Sequence, residues 1–331
     1  MLNKYKLNLQ LFAELNTNIT GDSGLSVENK THYDMTLIDE ASPNLIHNQF
    51  GQKRPIPKNG GKKIEFRKFA SLPKALTPLT EGVTPDGKKL SASSIEAEVS
   101  QYGDYVVLSD VLDLTAIDPI VVEATKVIGR QAGLTLDTIT RNTLHTGTNV
   151  YYCPKGDGTA VKSRSALDNT CKLTVDAIKR TVAFLKKNNA PKIDGSYVAI
   201  IHPYAAYDLM NDPEWIDPHK YQDTSNLYEG EIGKIAGVRF VETSEARIYD
   251  GGVFGTLVIA DGAYGVTEIT GGGLETIVKQ LGSAGVADPL NQRSSVGWKA
   301  MSTAEILVEP YMVRIEHKTG FAFNDEAIEA N

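Results

Sequence analysis

The six histidines, His32, His47, His145, His202, His219 and His317, are the first residues to weigh for chemistry. A metal site on a helix needs two of them four residues apart, and no such pair exists. His202 precedes Pro203, with Asp208 six residues on. An imidazole oriented by a carboxylate can act as a general base, but no serine or cysteine lies nearby in sequence to be activated. A structural hydrogen-bonding role is the plainer reading. Asp212, Glu214, Asp217 and Asp223 form an acidic, proline-broken loop that lacks the spacing and central glycine of a calcium loop. It is expected to be solvated or to face a partner. Trp215, inside that loop, is either a contact residue or a ring buried under its own subdomain. Gly156-Asp157-Gly158-Thr159 lacks the lysine and spacing of a phosphate loop. Gly271-Gly272-Gly273 precedes a strand, the wrong element for a dinucleotide site. No catalytic set, metal site or cofactor is therefore expected, and the chain does not read as an enzyme.

The one cluster that reads functionally is basic. The 331-residue chain has a net charge of −7, yet ten lysines and arginines against three acids lie between Gly51 and Leu90. That segment is +7 and the remainder −14. Lys62, Lys63, Arg67 and Lys68 stand on its first strand, and Lys88 and Lys89 lie near its tip. A body this acidic does not suit tight, sequence-reading contact with nucleic acid. The charge run suits an intersubunit contact, with Asp212, Glu214 and Trp215 as further candidate interface residues. Two cysteines, Cys153 and Cys171, are too few for a disulfide framework. They are expected as reduced thiols, a bridge requiring an oxidising compartment. No run approaches the ~20 apolar residues of a membrane span. Polar breaks among Leu7, Leu9, Leu11 and Phe12 argue against a secretory signal. A cytoplasmic protein with no membrane partner is expected.

These residues must be positioned by recognisable elements. Residues 1–50 lack periodicity and read as an extended arm with one helical turn near Met35 to Ile38. Residues 62–69 and 95–107 alternate as strands, flanking a tip of breakers that includes Pro73, Pro78, Gly82, Pro85 and Gly87. Together they predict a long hairpin that cannot be stable alone. Asp118-Pro119 has the form of an N-cap followed by proline at N1, opening a helix to about residue 146 with an apolar stripe of Val121, Ala124, Val127, Ile128, Ala132, Leu136 and Ile139. At ~1.5 Å per residue it would be a spine of roughly 40 Å. Thr174 caps a second helix that ends at Lys186-Lys187. A strand over 197–201, a helix over 203–210, a helical turn at 231–235 and strands at 238–242 and 256–260 describe an α/β subdomain. From Leu274 onward the pattern is β, with 295–307 and 311–317 read as paired strands across Glu309-Pro310.

This order resembles the α+β fold of the major capsid proteins of tailed phages and herpesviruses. Several stretches resemble, more narrowly, the coat proteins of N4-like phages. They are Ile201-His202-Pro203 through Asn211-Asp212-Pro213-Glu214-Trp215, Gly230-Glu231-Ile232-Gly233, Gly237-Val238-Arg239-Phe240-Val241-Glu242-Thr243, Asp288-Pro289-Leu290 and Val296-Gly297-Trp298-Lys299. The opening Leu7-Asn8-Leu9-Gln10-Leu11-Phe12-Ala13-Glu14 looks like the start of coat proteins in phages of low-GC Gram-positive bacteria. The resemblance implies an icosahedral shell of hexameric and pentameric capsomers around double-stranded DNA, bound without sequence specificity. It also implies a portal and a separate scaffolding protein as partners, with assembly in the host bacterial cytoplasm and residence in the virion. On this plan residues 1–50 are the arm, 51–110 the extended loop and 111–173 the peripheral domain with its spine helix (118–146). Residues 174–270 approximate the axial domain, and 271–331 supply return strands and a tail. Lys88 or Lys89 could supply a crosslinking lysine, although nothing identifies an asparagine partner. A cellular nanocompartment shell of the same fold, or an α+β enzyme, are the competing readings.

Overall fold

The structure, a computed structural model, describes residues 17–18, 46–69, 72–79, 81–82, 84, 86–116, 120–215, 233–270, 274–283, 288–321 and 328–331. The expected turn near Met35, the Asp118-Pro119 cap, and Asp217 and Asp223 lie outside these residues. The chain divides into two compact units. The first comprises 1–44, 101–133 and 272–301, the second 45–100, 134–271 and 302–331.

Fifteen strands and five α-helices are used below. The strands are β1 (Thr17–Asn18), β2 (Gln52–Lys53), β3 (Lys63–Phe69), β4 (Ala92–Glu98), β5 (Ser100–Ser109), β6 (Val150–Tyr152), β7 (Tyr197–Ile201), β8 (Lys234–Ile235), β9 (Val238–Glu242), β10 (Ile248–Tyr249), β11 (Val253–Ile259), β12 (Tyr264–Glu268), β13 (Glu275–Lys279), β14 (Arg293–Ile306) and β15 (Met312–His317). The helices are α1 (Ile46–Gln49), α2 (Asp110–Thr115), α3 (Ile120–Leu144), α4 (Val175–Lys187) and α5 (Pro203–Met210).

In the first unit β13 pairs antiparallel with β14, and β1 parallel with β5. Gly103 and Gly297 let β5 and β14 approach closely. A Cβ on Gly103 would sit 2.6 Å from the Trp298 carbonyl oxygen, and one on Gly297 2.9 Å from Tyr105 Cβ. Ile128 and Ala132 of α3 are buried. Gln131 Nε2 donates to Asp104 Oδ2 at 2.7 Å, while Trp298 Nε1 donates to Gln131 Oε1. Val127, assigned above to the apolar stripe, is 60% exposed. The buried line runs at i, i+4 through 128, 132 and 136, which turns its neighbour outward.

The second unit is built on a sheet of order β6-β15-β11-β7-β9-β8, with β10 also on β11. Every residue of β7, β11 and β15 is buried, as the interior strands of a two-sided sheet must be. Alternate residues feed opposite cores. Tyr197, Ala199, Ile201, Val258, Val313 and Ile315 pack with Ile178, Val182 and Leu185 of α4 and with Ala205 and Leu209 of α5. Ile200, Leu257, Ile259 and Met312 pack with Ile46, Leu144 and Tyr264. Capping follows the sequence reading: Thr174 Oγ1 accepts from Ala177 N, and Pro203 starts α5 without needing an N–H.

Three expectations are corrected here. β14 and β15 do not pair. β15 lies between β11 and β6, whereas β14 pairs with β12 and β13. The short 3₁₀ turn Glu309–Tyr311 carries the chain from one sheet to the other. The helical turn read at 231–235 is instead strand over Lys234–Ile235. Ala236 and Gly237 have φ of 52° and 82°, so they close a two-residue hairpin onto β9, a geometry that twists with the strands. Ile46 and His47, within the stretch read as unstructured, instead lie in the short helix α1 and are buried. His47 N donates to Asp137 Oδ1 at 2.8 Å, and His47 Nδ1 lies 2.6 Å from Asp137 Oδ2. Tyr264 Oη donates to the His47 carbonyl.

One buried charge organises an end of this sheet. Glu316, fully buried on β15, accepts from Arg164 Nε and Nη2 at 2.8 and 2.6 Å and from Arg314 Nε at 2.9 Å. Arg164 also lies 3.6 Å over the Tyr249 ring. Arg314 Nη1 donates to the carbonyls of His145 and Gly147, just past the end of α3. Replacing Glu316 by glutamine keeps its shape and leaves two guanidinium groups without their anion. A loss on the order of 3–5 kcal/mol is expected, read as a lower urea midpoint at unchanged m value.

Candidate intersubunit surfaces

The predicted hairpin is present and has two distinct halves. β3 and β4 pair antiparallel from Lys63↔Glu98 to Phe69↔Ala92, and among the described residues this two-stranded sheet joins no other. Its period-2 pattern puts Phe66, Ala97 and Val99 inward while Lys63, Glu65, Arg67, Glu96 and Glu98 face water. The base rests on its own unit. Residues 52–56 run along β12, with Ile56 N donating to the Glu268 carbonyl at 2.8 Å. Phe66 then seats on Gly265, where a Cβ would lie 2.8 Å from the ring. Arg54 lies 5.8 Å from the same ring centroid.

Beyond β3 the hairpin has no such support among the described residues. The tip exposes Leu72, Leu76, Leu79 and Leu90, with Leu76 at 82% and Leu79 at 77%. Lys74, Lys88 and Lys89 are exposed beside them, and Lys88 Nζ donates to the Pro73 carbonyl. The sequence reading found the charge here and missed the leucines, whose signal was apolar residues recurring among breakers. Two of the lysines and arginines on the strands are locally paired. Lys63 meets Glu96 at 3.5 Å and Arg67 meets Glu65 at 3.3 Å, both on exposed faces where such pairs contribute little. Lys62 precedes the first strand, and Lys68 pairs with Ser93 in the ladder.

The remaining candidates have internal work. Asp212 Oδ2 accepts from Val175 N at the start of α4, and its Oδ1 accepts from Glu214 N, both at 2.9 Å. Glu214 is exposed and pairs with Lys179 of α4 at 2.7 Å. Trp215 is only 4% exposed and packs edge-on against Phe240 at 5.4 Å, so its ring belongs to the core of the unit. His202 and Asp208 do not form a dyad. His202 Nδ1 accepts from Tyr204 N as the cap of α5, with its ring near Tyr204 and Phe254. Asp208 Oδ2 accepts from Thr319 Oγ1 at 2.7 Å and Gly320 N at 2.9 Å. Gly156-Asp157-Gly158 is a turn closed by Asp157 Oδ1, which accepts from Thr159 N. Among the described residues no group of His, Cys, Asp or Glu is arranged to hold a metal ion. No helix among them is long and apolar enough to cross a membrane.

The sequence profile of the phage capsid protein family matches residues 92–314. The chain belongs to that family. Among solved structures, the capsid of cyanophage Pam1 superposes with a TM-score of 0.66 at 12% identity, over 89% of this chain and 96% of that one. The capsid of Ralstonia phage GP4 gives 0.62 at 12% identity, over 97% and 99%. An encapsulin complex from Synechococcus elongatus gives 0.58 at 10% identity, over 87% and 92%. At such identities the likeness shows the fold, that of tailed-phage capsids. No curated protein matches by sequence.

This phage capsid protein is thus a structural, non-enzymatic subunit of the virion that assembles with copies of itself. Its surfaces matter more than its buried polar residues. The first unit adds two that sequence reasoning missed. α2, capped by Ser109 Oγ accepting from Leu112 N, turns Leu114 (82% exposed) and Val111 outward beside Asp113. A groove of about 530 Å³ runs over the β5–β14–β13 face, lined by Gly103, Tyr105, Ile277, Lys279, Gly297 and Lys299.

Two buried histidines set an acid limit on the capsid subunit. Burial lowers His202 and His317 from 6.5 to about 4. The neutral His317 ring is held between Thr256 Oγ1, which donates to Nε2, and the Lys318 carbonyl, which accepts from Nδ1. The unfolded chain takes up these protons first, so stability is full above about 6.5 and is lost as pH falls toward about 4. Melting temperature measured across that window should fall, and His317→Gln should flatten the slope.

Proposed function

We propose that this capsid subunit builds an icosahedral shell of hexamers and pentamers around double-stranded DNA, and completes its fold on its neighbours through the hairpin at 51–110. The observation that carries this reading is the tip. Four exposed leucines lie beside three lysines on a hairpin that, among the described residues, its own unit supports only at the base, and clustered exposed apolar side chains of this kind mark interaction surfaces. Seated on another copy, the leucines would be buried and the surrounding charge would fix orientation. Lys62, Lys63, Arg67, Lys68, Lys88 and Lys89 are the basic side of that contact, and Asp212 and Glu214 offer acidic groups to a facing subunit.

On this reading residues 111–173 contribute the peripheral domain and 174–270 the axial domain. β15 joins the latter, because it pairs with β11 in the sheet that also holds β7 and β9, and β6 follows it there as the strand on the other side of β15. The narrower likeness to coat proteins of N4-like phages belongs to the same proposal. So do a separate scaffolding protein, a portal and assembly in the host cytoplasm. A net charge of −14 outside residues 51–90 suits a wall that encloses DNA without gripping it. The encapsulin likeness favours one second reading, a nanocompartment shell around cargo protein. The contents of purified particles, DNA or protein, decide between the two.

Leu76→Asp with Leu79→Asp should abolish capsomers in size exclusion and negative-stain microscopy, while the subunit's melting temperature moves by no more than a degree or so, since both positions are exposed. Unimpaired shells from this variant would sink the proposal. Reversing Lys62, Lys63, Arg67 and Lys68 to glutamate should slow assembly most at low salt and less as ionic strength rises. An assembly rate unchanged at every salt concentration would leave those charges as a solvated face.

A further inference from the structure

The two cysteines are separated by 17 residues of loop and brought together by the edge of β15. β6 runs parallel to β15 with Tyr152 opposite Glu316, and Cys153 N donates to the Glu316 carbonyl at 3.0 Å. The chain then leaves the sheet. It rejoins the same edge at Cys171, whose carbonyl accepts from Lys318 N at 2.9 Å, and Lys172 pairs parallel with Lys318. Positions 316 and 318 are only ~7 Å apart along a strand that rises ~3.3 Å per residue. Cys153, on the outgoing segment, and Cys171, on the returning one, therefore sit between two neighbouring anchor points. Both side chains are fully buried and share one apolar cluster with Leu173, Val175 and Ile315. The ~7 Å between the anchors lies at the upper edge of the Cα separations, roughly 4.4–6.8 Å, that a disulfide spans, and the two cysteines lie between those anchors.

We propose that Cys153 and Cys171 are a disulfide site, which closes the loop 154–170 when the subunit meets a small-molecule disulfide such as oxidised glutathione. In the reduced state Cys171 Sγ donates to Asp168 Oδ1 at 3.5 Å, and Asp168 pairs with Lys155 at 3.1 Å on the exposed side of the loop. Burial raises both thiols, Cys153 the more strongly, so exchange begins when the loop opens and wets Cys171. The Cys171 thiolate attacks one glutathione sulfur and releases the first glutathione thiolate. Cys153 then attacks the Cys171 sulfur of the mixed disulfide and releases the second. The two protons lost by the protein thiols end on the two glutathiones. The bridge restrains a loop whose opening would otherwise expose the edge of β15, and it forms only outside a reducing interior.

The test uses the full-length subunit, incubated with oxidised or with reduced glutathione and followed by intact mass and by peptide mapping without reductant. The expected product is lighter by two hydrogens, carries no glutathione, joins the peptides holding Cys153 and Cys171, and reverts with dithiothreitol. Its melting temperature should rise by a few degrees over the reduced form. Cys153→Ser should instead trap one glutathione on Cys171. A wild-type chain that keeps both thiols, holds glutathione on them without bridging, or bridges only to a second chain overturns the proposal. None of these readouts depends on whether the subunit assembles.

Discussion

A single buried carboxylate holds together much of the second unit. Glu316 sits on an interior strand where an unpaired anion would be prohibitively costly. Its two oxygens take three hydrogen bonds from Arg164 and Arg314, two of them from a segment more than 150 residues earlier. Each arginine then fixes something else. Arg164 brings the loop 154–170 against the Tyr249 ring of β10. Arg314 closes the end of α3 through the carbonyls of His145 and Gly147. The edge of β15 that accepts β6, and then the returning chain at Cys171, is therefore set by how one charge is neutralised. A buried ion pair is weak support for stability compared with an apolar core, but it is strict about geometry. That strictness is what brings segments distant in sequence to one strand edge.

The hairpin follows the opposite rule. The body packs its apolar side chains into two cores of its own, whereas the described part of the hairpin is packed only up to Phe66 on Gly265. Past that point it presents leucines to water. A lone two-stranded ribbon has one face too many to bury, and here the surplus face is concentrated at the tip. Among the described residues nothing covers that face, which is why the proposed contact places it on another copy.

Legibility in the sequence tracked how local each determinant was. α4 and α5 could be read almost to the residue, because Thr174, Pro203 and the apolar spacing act within one or two turns. The base of the hairpin was legible from period-2 alternation. The placement of β15 was not, since adjacency across Glu309-Pro310 suggests a hairpin and only the full sheet shows that β11 has the better claim. The hairpin at Ala236-Gly237 was missed because a positive φ at alanine leaves no mark in composition. Buried polar residues on α3, namely Asp137, Thr140 and Arg141, break the apolar stripe that betrays a helix face. They could be understood only with their partners His47, Asn48 and the Glu245 carbonyl in place. His202 and Asp208 failed as a dyad for the same reason: each was already engaged by backbone groups that sequence spacing does not reveal.

The structure also reweights what the charge asymmetry does. A segment of +7 on a body of −14 invites an electrostatic account of association. Yet Lys63 and Arg67 are already met by Glu96 and Glu65 on the same hairpin, so part of that charge is spent locally and screened by water. Exposed ion pairs supply a few tenths of a kcal/mol each, whereas burying a leucine side chain supplies about 1.5–3 kcal/mol. Four leucines therefore outweigh all the lysines around them in affinity. In the proposed contact the charges would retain the roles that act before contact, drawing subunits together and rejecting a misoriented tip. Orientation by charge and retention by leucine divide the labour in a way that suits reversible assembly. On the proposed contact a wrongly docked hairpin would be held weakly enough to leave, and a correctly docked one would bury the exposed leucines.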